Sequence, residues 1–445
     1  MRGMRCGLFG HNAFSIVRVR QSKQMLGLYL SIPFCRSKCT FCNFASGVFP
    51  LSEMERYGER LVEDLTTARD TAAAWGAQLP EAVDSIYLGG GTPSLLPPEW
   101  IERIMTAIRN EFTVLPEAEI TFEVAPATLA DSTLAAMVSA GATRLSLGVQ
   151  SFVDAEAKAV GRTHRREDVL RDLARAREAG IADLNIDLLA GLPGQTRASW
   201  RESLDVLAQI VGQTVASPAN HRQNPPQPGV THASVYMLEV DEDSRLGTEL
   251  LSGGTRYGAQ LVPKDETIVA MYEDAIEALT SMGLEQYEIS NFALPGRESR
   301  HNLRYWERKP YLGVGVDAHS MLRGAALAEN GTESRAGGPA MRFAATEDLK
   351  QYLDGPGWSR PEPLTPAQEL EEAWFLGLRR STGVNQSVLA AEFGAEPVEA
   401  SARVVEELVA DGLLCREGEQ ICLTGQGRVL SNDVFVRFLA EAPPA

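Results

Sequence analysis

The chain is predicted to fold as an α/β protein: a partial (β/α)6 barrel followed by a small α-helical, winged-helix-like domain. Three observations lead there. Six short apolar, β-rich runs recur between Leu26 and Leu238, separated by one-faced helical stretches, which is the rhythm of parallel βα units. The residues that stand out chemically fall at the C-terminal ends of those runs, where such barrels carry their working groups. From about Thr365 the alternation stops and helices with one hairpin take over. Six units suit an open or partial barrel, although alternation alone leaves a two-sided sheet open.

Residues 1–25 carry Arg2, Arg5, Arg18, Arg20 and Lys23 and no acid. They fit an Arg-rich transit peptide or, more simply, an over-long start ahead of Met25, and they stand outside the fold with Cys6. The barrel is expected over 26–290. Its first strand is Leu26 to Ile32. Ser52-x-x-Glu55 reads as a capping box opening a helix to about Trp75, with Met54, Leu61, Leu65, Ala68 and Ala72 on one face. Val83 to Leu88 is a second strand, ending in Gly89-Gly90-Gly91-Thr92-Pro93. A helix from Pro98 to Phe112 follows, with Pro98 in its first turn. Glu119 to Val124 is the third strand, and Asp131 caps a helix that Gly141 ends. Thr143 to Val149 is the fourth strand, and a helix from Arg165 to Ala179 closes at Gly180. Asp183 to Leu189 is the fifth, Thr196 caps a helix over Arg197 to Val211, and Ala233 to Leu238 is the sixth.

The span 212–231 has four prolines and few apolar residues. It interrupts a connection that is normally ~2–6 residues long, so it reads as a surface insertion with His221 solvated. Residues 291–364 are a connecting region containing HNLRYW, with a loose stretch over 324–339. The C-terminal domain, 365–445, is expected to hold helices over Pro366–Leu378, Asn385–Phe393 and Pro397–Ala410. A hairpin from Leu413 to Thr424 and a last helix from Gly425 to about Ala440 complete it. Winged-helix units often bind DNA, but this one has 13 acids against 6 bases from Pro366 onward, a net of −7, which speaks for packing on the barrel or a partner contact. Cys415 and Cys422, on the two hairpin arms, read as buried thiols.

At 445 residues and 44% apolar content the chain can build one large domain and a small one. No apolar run reaches the ~18 residues of a membrane span, which predicts a soluble protein without a transmembrane segment. A net charge of −17 argues against a nucleic-acid partner. Six cysteines are too few and too unevenly spaced for a disulfide scaffold in a chain of this length, so a reducing, cytoplasmic setting is expected.

Three of the six sit within eight residues: Cys35, Cys39 and Cys42, in YLSIPFCRSKCTFCNF. Three thiolates on a short loop can hold three irons of a [4Fe-4S] cube and leave the fourth without a protein ligand. That iron can bind a small molecule through nitrogen and oxygen. A three-cysteine zinc site and three buried thiols are the alternatives; zinc favours CxxC pairs and a fourth ligand nearby. CxxxCxxC after an apolar strand, with Phe41 before the last cysteine, resembles the radical S-adenosylmethionine (SAM) signature. The glycine run lacks the Lys-Ser/Thr of a phosphate loop, and it suits backbone approach to the amino group of SAM. Glu123 ends a strand and can accept from ribose hydroxyls. Asp187, in an apolar run, needs a partner such as Arg162 or a ligand.

Further motifs extend the resemblance from about Leu28 to the C-terminus: LGGGTPS, RLSLGVQSF, GRTH, NIDLLAGLPGQT, YEISNFA and HNLRYW. Together they resemble the oxygen-independent coproporphyrinogen III oxidase family and, within it, the radical SAM haem-chaperone (HemW-type) branch. The resemblance implies a cluster on Cys35, Cys39 and Cys42 and SAM held by Tyr29, Phe41, Gly91, Thr92, Glu123, Gln150, Arg162 and Asp187. It also implies haem at His301, Asn302, Tyr305 and Trp306, where an imidazole can ligate iron and aromatic faces can stack on a macrocycle. His319 is a lesser candidate ligand. Phe44 stands where the true oxidases have a further cysteine, which favours the chaperone branch. Ser31, Ala125 and Asp317 depart from the usual residues.

Two functions follow as expectations. The first is a haem carrier serving an acceptor protein, with an electron donor such as a flavodoxin or ferredoxin for the cluster. The alternative is an oxidase that cleaves SAM and decarboxylates coproporphyrinogen III to protoporphyrinogen IX.

Overall fold

A computed structural model describes residues 24–211, 214–215, 227–324 and 338–439. Cys6 and the basic segment 1–23, His221 with most of 212–231, and 325–337 lie outside the described residues. The barrel runs β1 (Leu26–Ile32), α1 (Leu51–Ala74), β2 (Ala82–Gly90), α2 (Pro98–Glu111), β3 (Thr113–Val124), α3 (Asp131–Ser139), β4 (Arg144–Gln150), α4 (Asp154–Ala159), α5 (Arg166–Glu178), β5 (Asp183–Ala190), α6 (Arg197–Val211) and β6 (His232–Met237).

The six strands are all parallel, and each pairs with its sequence neighbour in the order β1-β2-β3-β4-β5-β6. A two-sided sheet needs a reversal of strand order, and there is none. Right-handed crossovers that keep one direction put the helices on one face and let the sheet curl. Leu26, Leu28, Leu30 and Ile32 accordingly face the helix layer and join the main apolar core, while Tyr29 faces the other way.

Closure is incomplete. Beyond β6 lies β7 (Asn291–Ala293), antiparallel, and beyond β1 lies β8 (Tyr311–Val314), parallel. Helices α7 (Arg245–Ser252), α8 (Asp265–Ser281) and α9 (Arg300–Trp306) connect these, and β9 (His319–Gly324) and β10 (Ala340–Ala344) continue the sheet antiparallel past β8. Residues 291–364 thus share the barrel's sheet, and Leu312, Val314, Leu322, Phe343 and Trp358 share its core.

After α10 (Leu349–Asp354), the C-terminal domain has α11 (Pro366–Arg379), α12 (Gln386–Phe393), α13 (Ala395–Ala400), α14 (Ala402–Ala410), β11 (Leu414–Glu417), β12 (Gln420–Leu423), α15 (Gly425–Val429) and α16 (Ser431–Val436). Val384–Asn385 pairs with β12 as a third strand. Thr365 and Gln368 form a reciprocal capping box on α11. Leu370, Trp374, Leu378, Val405, Leu408 and Ile421 belong to a second core of its own.

Several local expectations are corrected. Helix α1 begins at Leu51 behind Pro50, with no side-chain cap, so Ser52 and Glu55 lie inside it rather than framing its start. Asp131 is the first helical residue after Ala130 rather than the cap, and its carboxylate pairs with Arg175 (2.5 Å). The helix read as continuous over 397–410 breaks at Ser401, and the last helix is two short ones. Cys415 and Cys422 face each other across the hairpin and are half-buried, because alternate hairpin residues point away from the core that takes Leu414 and Ile421.

Candidate active site

One cavity of about 330 Å³ opens at the C-terminal ends of the strands. Cys35, Cys39 and Cys42 line its mouth, on the loop after β1. That loop is held from two sides. Gly91 N donates to Ile32 O (2.9 Å), and a Cβ on Gly91 would stand 2.6 Å from the same oxygen, so the glycine run is required for backbone-to-backbone contact with the cysteine loop. From the other side, Thr40 N donates to Val160 O (3.1 Å) and Ser37 Oγ to Gly161 O (2.9 Å), which packs the GRTH turn on the loop. Thr92 Oγ1 reaches Cys35 Sγ at 3.6 Å.

Burial pushes the Cys35 and Cys39 thiols up, while the Arg162 guanidinium acts the other way on both. A positive group and bound iron favour thiolates. Among the described residues no three His, Cys, Asp or Glu side chains converge on a single metal ion. A cube differs from a single-ion site in that its irons are bound one thiolate each.

Below the mouth, polar residues alternate along otherwise apolar strands and point inward: Thr121 and Glu123 on β3, Ser146 on β4, Asn185 and Asp187 on β5, His232, Ser234 and Tyr236 on β6. Glu123 accepts from the Tyr87 hydroxyl (2.9 Å) and from Gly90 N (3.1 Å). Burial and then the Asp187 charge hold its carboxyl up to about 7. Asp187 is also raised by burial; it accepts from Ser146 Oγ (3.1 Å) and Asn185 Nδ2 (2.7 Å), and the Arg162 charge acts on it in the sense opposite to burial. Gly148 leaves the room that Arg162 uses, since a Cβ there would meet Arg162 Nη2 at 2.9 Å. Gln150 sits at a register shift between β4 and β5 with φ +68°, a conformation uncommon outside glycine.

Of the residues expected to hold SAM, Phe41, Gly91, Thr92, Glu123, Gln150, Arg162 and Asp187 all line this cavity. Tyr29 is half-buried beside it, its ring centroid 6.1 Å from that of Tyr87. Sequence reasoning missed Tyr87, Ser146, Asn185, Ser234 and Tyr236. Their signal was there, as polar residues at period two in strands.

The HNLRYW stretch is helix α9, under the barrel floor, and it divides by direction. Asn302 lines the cavity from below. His301 is 1% exposed. Its Nδ1 is 3.1 Å from Ser85 Oγ and its Nε2 2.8 Å from the Tyr305 hydroxyl, so neither nitrogen is offered to a ligand in this conformation. Burial and the neighbouring Arg304 hold its pKa down to about 3. Tyr305 packs edge-on to Tyr311 (4.6 Å), and Trp306 lies under the Arg379 guanidinium of the C-terminal domain (4.4 Å).

A parallel partial barrel with a three-cysteine loop at the mouth of its cavity is the architecture of a radical SAM protein, and the family model for the radical SAM superfamily matches residues 29–207. The model for the HemN C-terminal domain matches 364–430. A solved structure of Escherichia coli coproporphyrinogen III oxidase HemN superposes with a TM-score of 0.74 at 23% identity, covering 94% of this chain and 90% of that one, which shows the shared fold. The heme chaperone HemW of Bacillus subtilis is 31% identical over 423 residues, 94% of this chain and 100% of that protein. The heme chaperone HemW of Synechocystis is 32% identical over 361 residues, covering 81% and 79%. Mouse radical S-adenosyl methionine domain-containing protein 1, mitochondrial, is 30% identical over 435 residues, covering 94% and 88%. The chain belongs to the heme chaperone HemW family of radical SAM proteins.

Proposed function

We propose that this protein binds haem and delivers it to acceptor proteins, with a [4Fe-4S] cluster on Cys35, Cys39 and Cys42 and SAM in the cavity beneath. What carries the reading is near-full-length similarity to heme chaperones combined with a cavity that gathers the three thiols and seven SAM-type contacts. Bound there, the cluster supplies a low-potential electron and an iron site open to an amino acid. The chain's own part is to orient and to exclude water. Gly91 and Thr92 bring backbone to the cluster side, Glu123 accepts from hydroxyls, and Gln150, Arg162 and Asp187 present polar groups along the wall. Asn302 joins the haem-motif helix to the cavity floor, and Tyr305 and Trp306 supply aromatic surface in the same helix. An electron donor of flavodoxin or ferredoxin type and a cytoplasmic setting accompany this reading; among the described residues no helix is long and apolar enough to cross a membrane.

The test is anaerobic. Protein with a reconstituted cluster should take up haem stoichiometrically and leave coproporphyrinogen III unchanged in the presence of SAM and reductant. Formation of protoporphyrinogen IX would overturn the carrier reading in favour of the oxidase. EPR of the reduced cluster should change on adding SAM.

A further inference from the structure

The inward face of β2 reads Ser85, Tyr87 and Gly89 at period two, while Ile86 and Leu88 join the apolar core behind it. Ser85 Oγ is 3.1 Å from His301 Nδ1. Tyr87 lays its ring beside that imidazole, with centroids 5.3 Å apart and planes at 30°. Its hydroxyl donates to Glu123 Oε1 (2.9 Å). A Cβ on Gly89 would stand 2.7 Å from Tyr87 Cε1 and 2.8 Å from Glu123 Oε1, so the strand keeps a glycine where this pair passes. Tyr29, opposite Tyr87 on β1, closes the group, its ring 6.1 Å from that of Tyr87 and 6.4 Å from that of His301. One side chain thus touches both the haem-motif helix and the cavity wall. His319, by contrast, opens β9 with an exposed side chain and is not among the residues lining the cavity.

Burial and the Glu123 charge push the Tyr87 phenol up, so it keeps its proton and is the donor. Glu123 takes one bond on each oxygen, from Tyr87 and from Gly90 N, and the Tyr87 bond favours its ionised form. Ionised and held in this way, it suits ribose hydroxyls. On the other side of Tyr87, His301 can offer Nε2 only when the Tyr305 hydroxyl (2.8 Å) leaves it. Ser85 still fixes the ring through Nδ1. A ligand on Nε2 displaces a ring that is packed on Tyr87, and in a close-packed interior Tyr87 has to follow. Its bond to Glu123 weakens steeply as the geometry departs from a straight line.

We infer that Tyr87 positions Glu123 for the SAM ribose and couples the haem-motif helix to the SAM cavity, so that haem bound at α9 weakens SAM binding. This rests on the haem-carrier reading with SAM in the cavity. Coupling between two binding sites is reciprocal, so SAM loosens haem by the same factor and favours its release.

The test is a calorimetric titration of SAM into full-length protein with its cluster reconstituted, with and without an equivalent of hemin. Tyr87→Phe, which keeps the ring and removes the hydroxyl, is titrated beside it. In the wild type, hemin should lower SAM affinity about fivefold or more. Tyr87→Phe should bind both ligands and abolish that effect. Without hemin, it should also move the midpoint of the SAM affinity–pH curve up by about one unit, because the carboxylate has lost a donor. A role for Tyr87 in packing alone predicts no such movement. A Tyr87→Phe midpoint equal to that of the wild type overturns the positioning role. Wild-type protein that binds hemin and SAM independently overturns the coupling, as does a Tyr87→Phe variant that keeps it in full. Wild-type protein that takes up no hemin overturns the carrier reading instead, and the haem-free midpoint still decides the positioning role.

Discussion

Glu123 and the three cysteines line one cavity. Replacing Cys35, Cys39 or Cys42 by Ser removes one thiolate of a cube, and the expected outcome is loss of the ~400 nm charge-transfer absorption after reconstitution, read by absorbance and iron content. Glu123 is a buried carboxyl raised to about 7 from 4.5. The folded protein therefore keeps its proton to a higher pH than the unfolded chain. The associated stability is complete below 4.5 and is lost as pH rises through about 7, by up to about 3 kcal/mol. Glu123→Gln should flatten that part of the stability–pH curve, measured as urea midpoints of the ligand-free protein. If the carboxylate accepts from the SAM ribose, affinity for SAM should improve about tenfold from pH 6 to pH 8, and the Gln variant should lose the dependence, by calorimetry. The cysteine triplet was legible because its members are chain neighbours. The alternating polar lining was not, because period two also describes a half-exposed strand.

At the scale of elements, the glycine run after β2 and the cysteine loop after β1 form one unit. Gly91→Ala would press a methyl to 2.6 Å from Ile32 O and 2.9 Å from Pro33 C, both backbone atoms that cannot swing aside. The loop must shift while the apolar strands stay packed. The expected result is a folded protein by circular dichroism that retains less than half its iron on reconstitution, with a loss of about 1–3 kcal/mol in stability. The sequence showed the glycines as a ligand cradle, and their closest partner proved to be the neighbouring loop. Helix α9 shows the converse. Its residues announce haem chemistry, yet Arg304 anchors it by bonding Met25 O (2.9 Å), Pro310 O (3.0 Å) and Asp84. His301 is held by Ser85, 216 positions away.

At the scale of the molecule, the C-terminal domain has its own core but meets the barrel through charge. Arg323 pairs with Glu369 (2.6 Å), Arg342 with Glu372 (2.6 Å) and Arg308 with Glu392 (2.6 Å), while Arg379 and Arg380 of the domain face Glu288 (3.9 Å) and Glu307 (3.6 Å) in the reverse sense. This gives the acidic tail a use that needs no nucleic acid. The Arg323–Glu369 pair is the most enclosed of the three, and Glu369 also accepts from Ala340 N (3.0 Å). Arg323→Ala removes one charge-assisted bond to Glu369, so a loss of about 1–3 kcal/mol is expected in chemical denaturation. Faster hydrogen exchange in α9 and α11 should accompany it, while β1–β6 stay protected. Unchanged exchange in α11 would show that the domain does not depend on this pair for docking.

The sequence by itself determined what is local: three thiols within eight residues, six strand–helix alternations, and a change of character near Thr365. Chain connectivity guarantees such proximities before any packing occurs. Only the tertiary structure decided that the strands run in unbroken order into an open barrel, because pairing order is set by which faces bury together. It also decided that His301 packs against Ser85 and Tyr87, since burial and hydrogen bonding come from residues hundreds of positions apart.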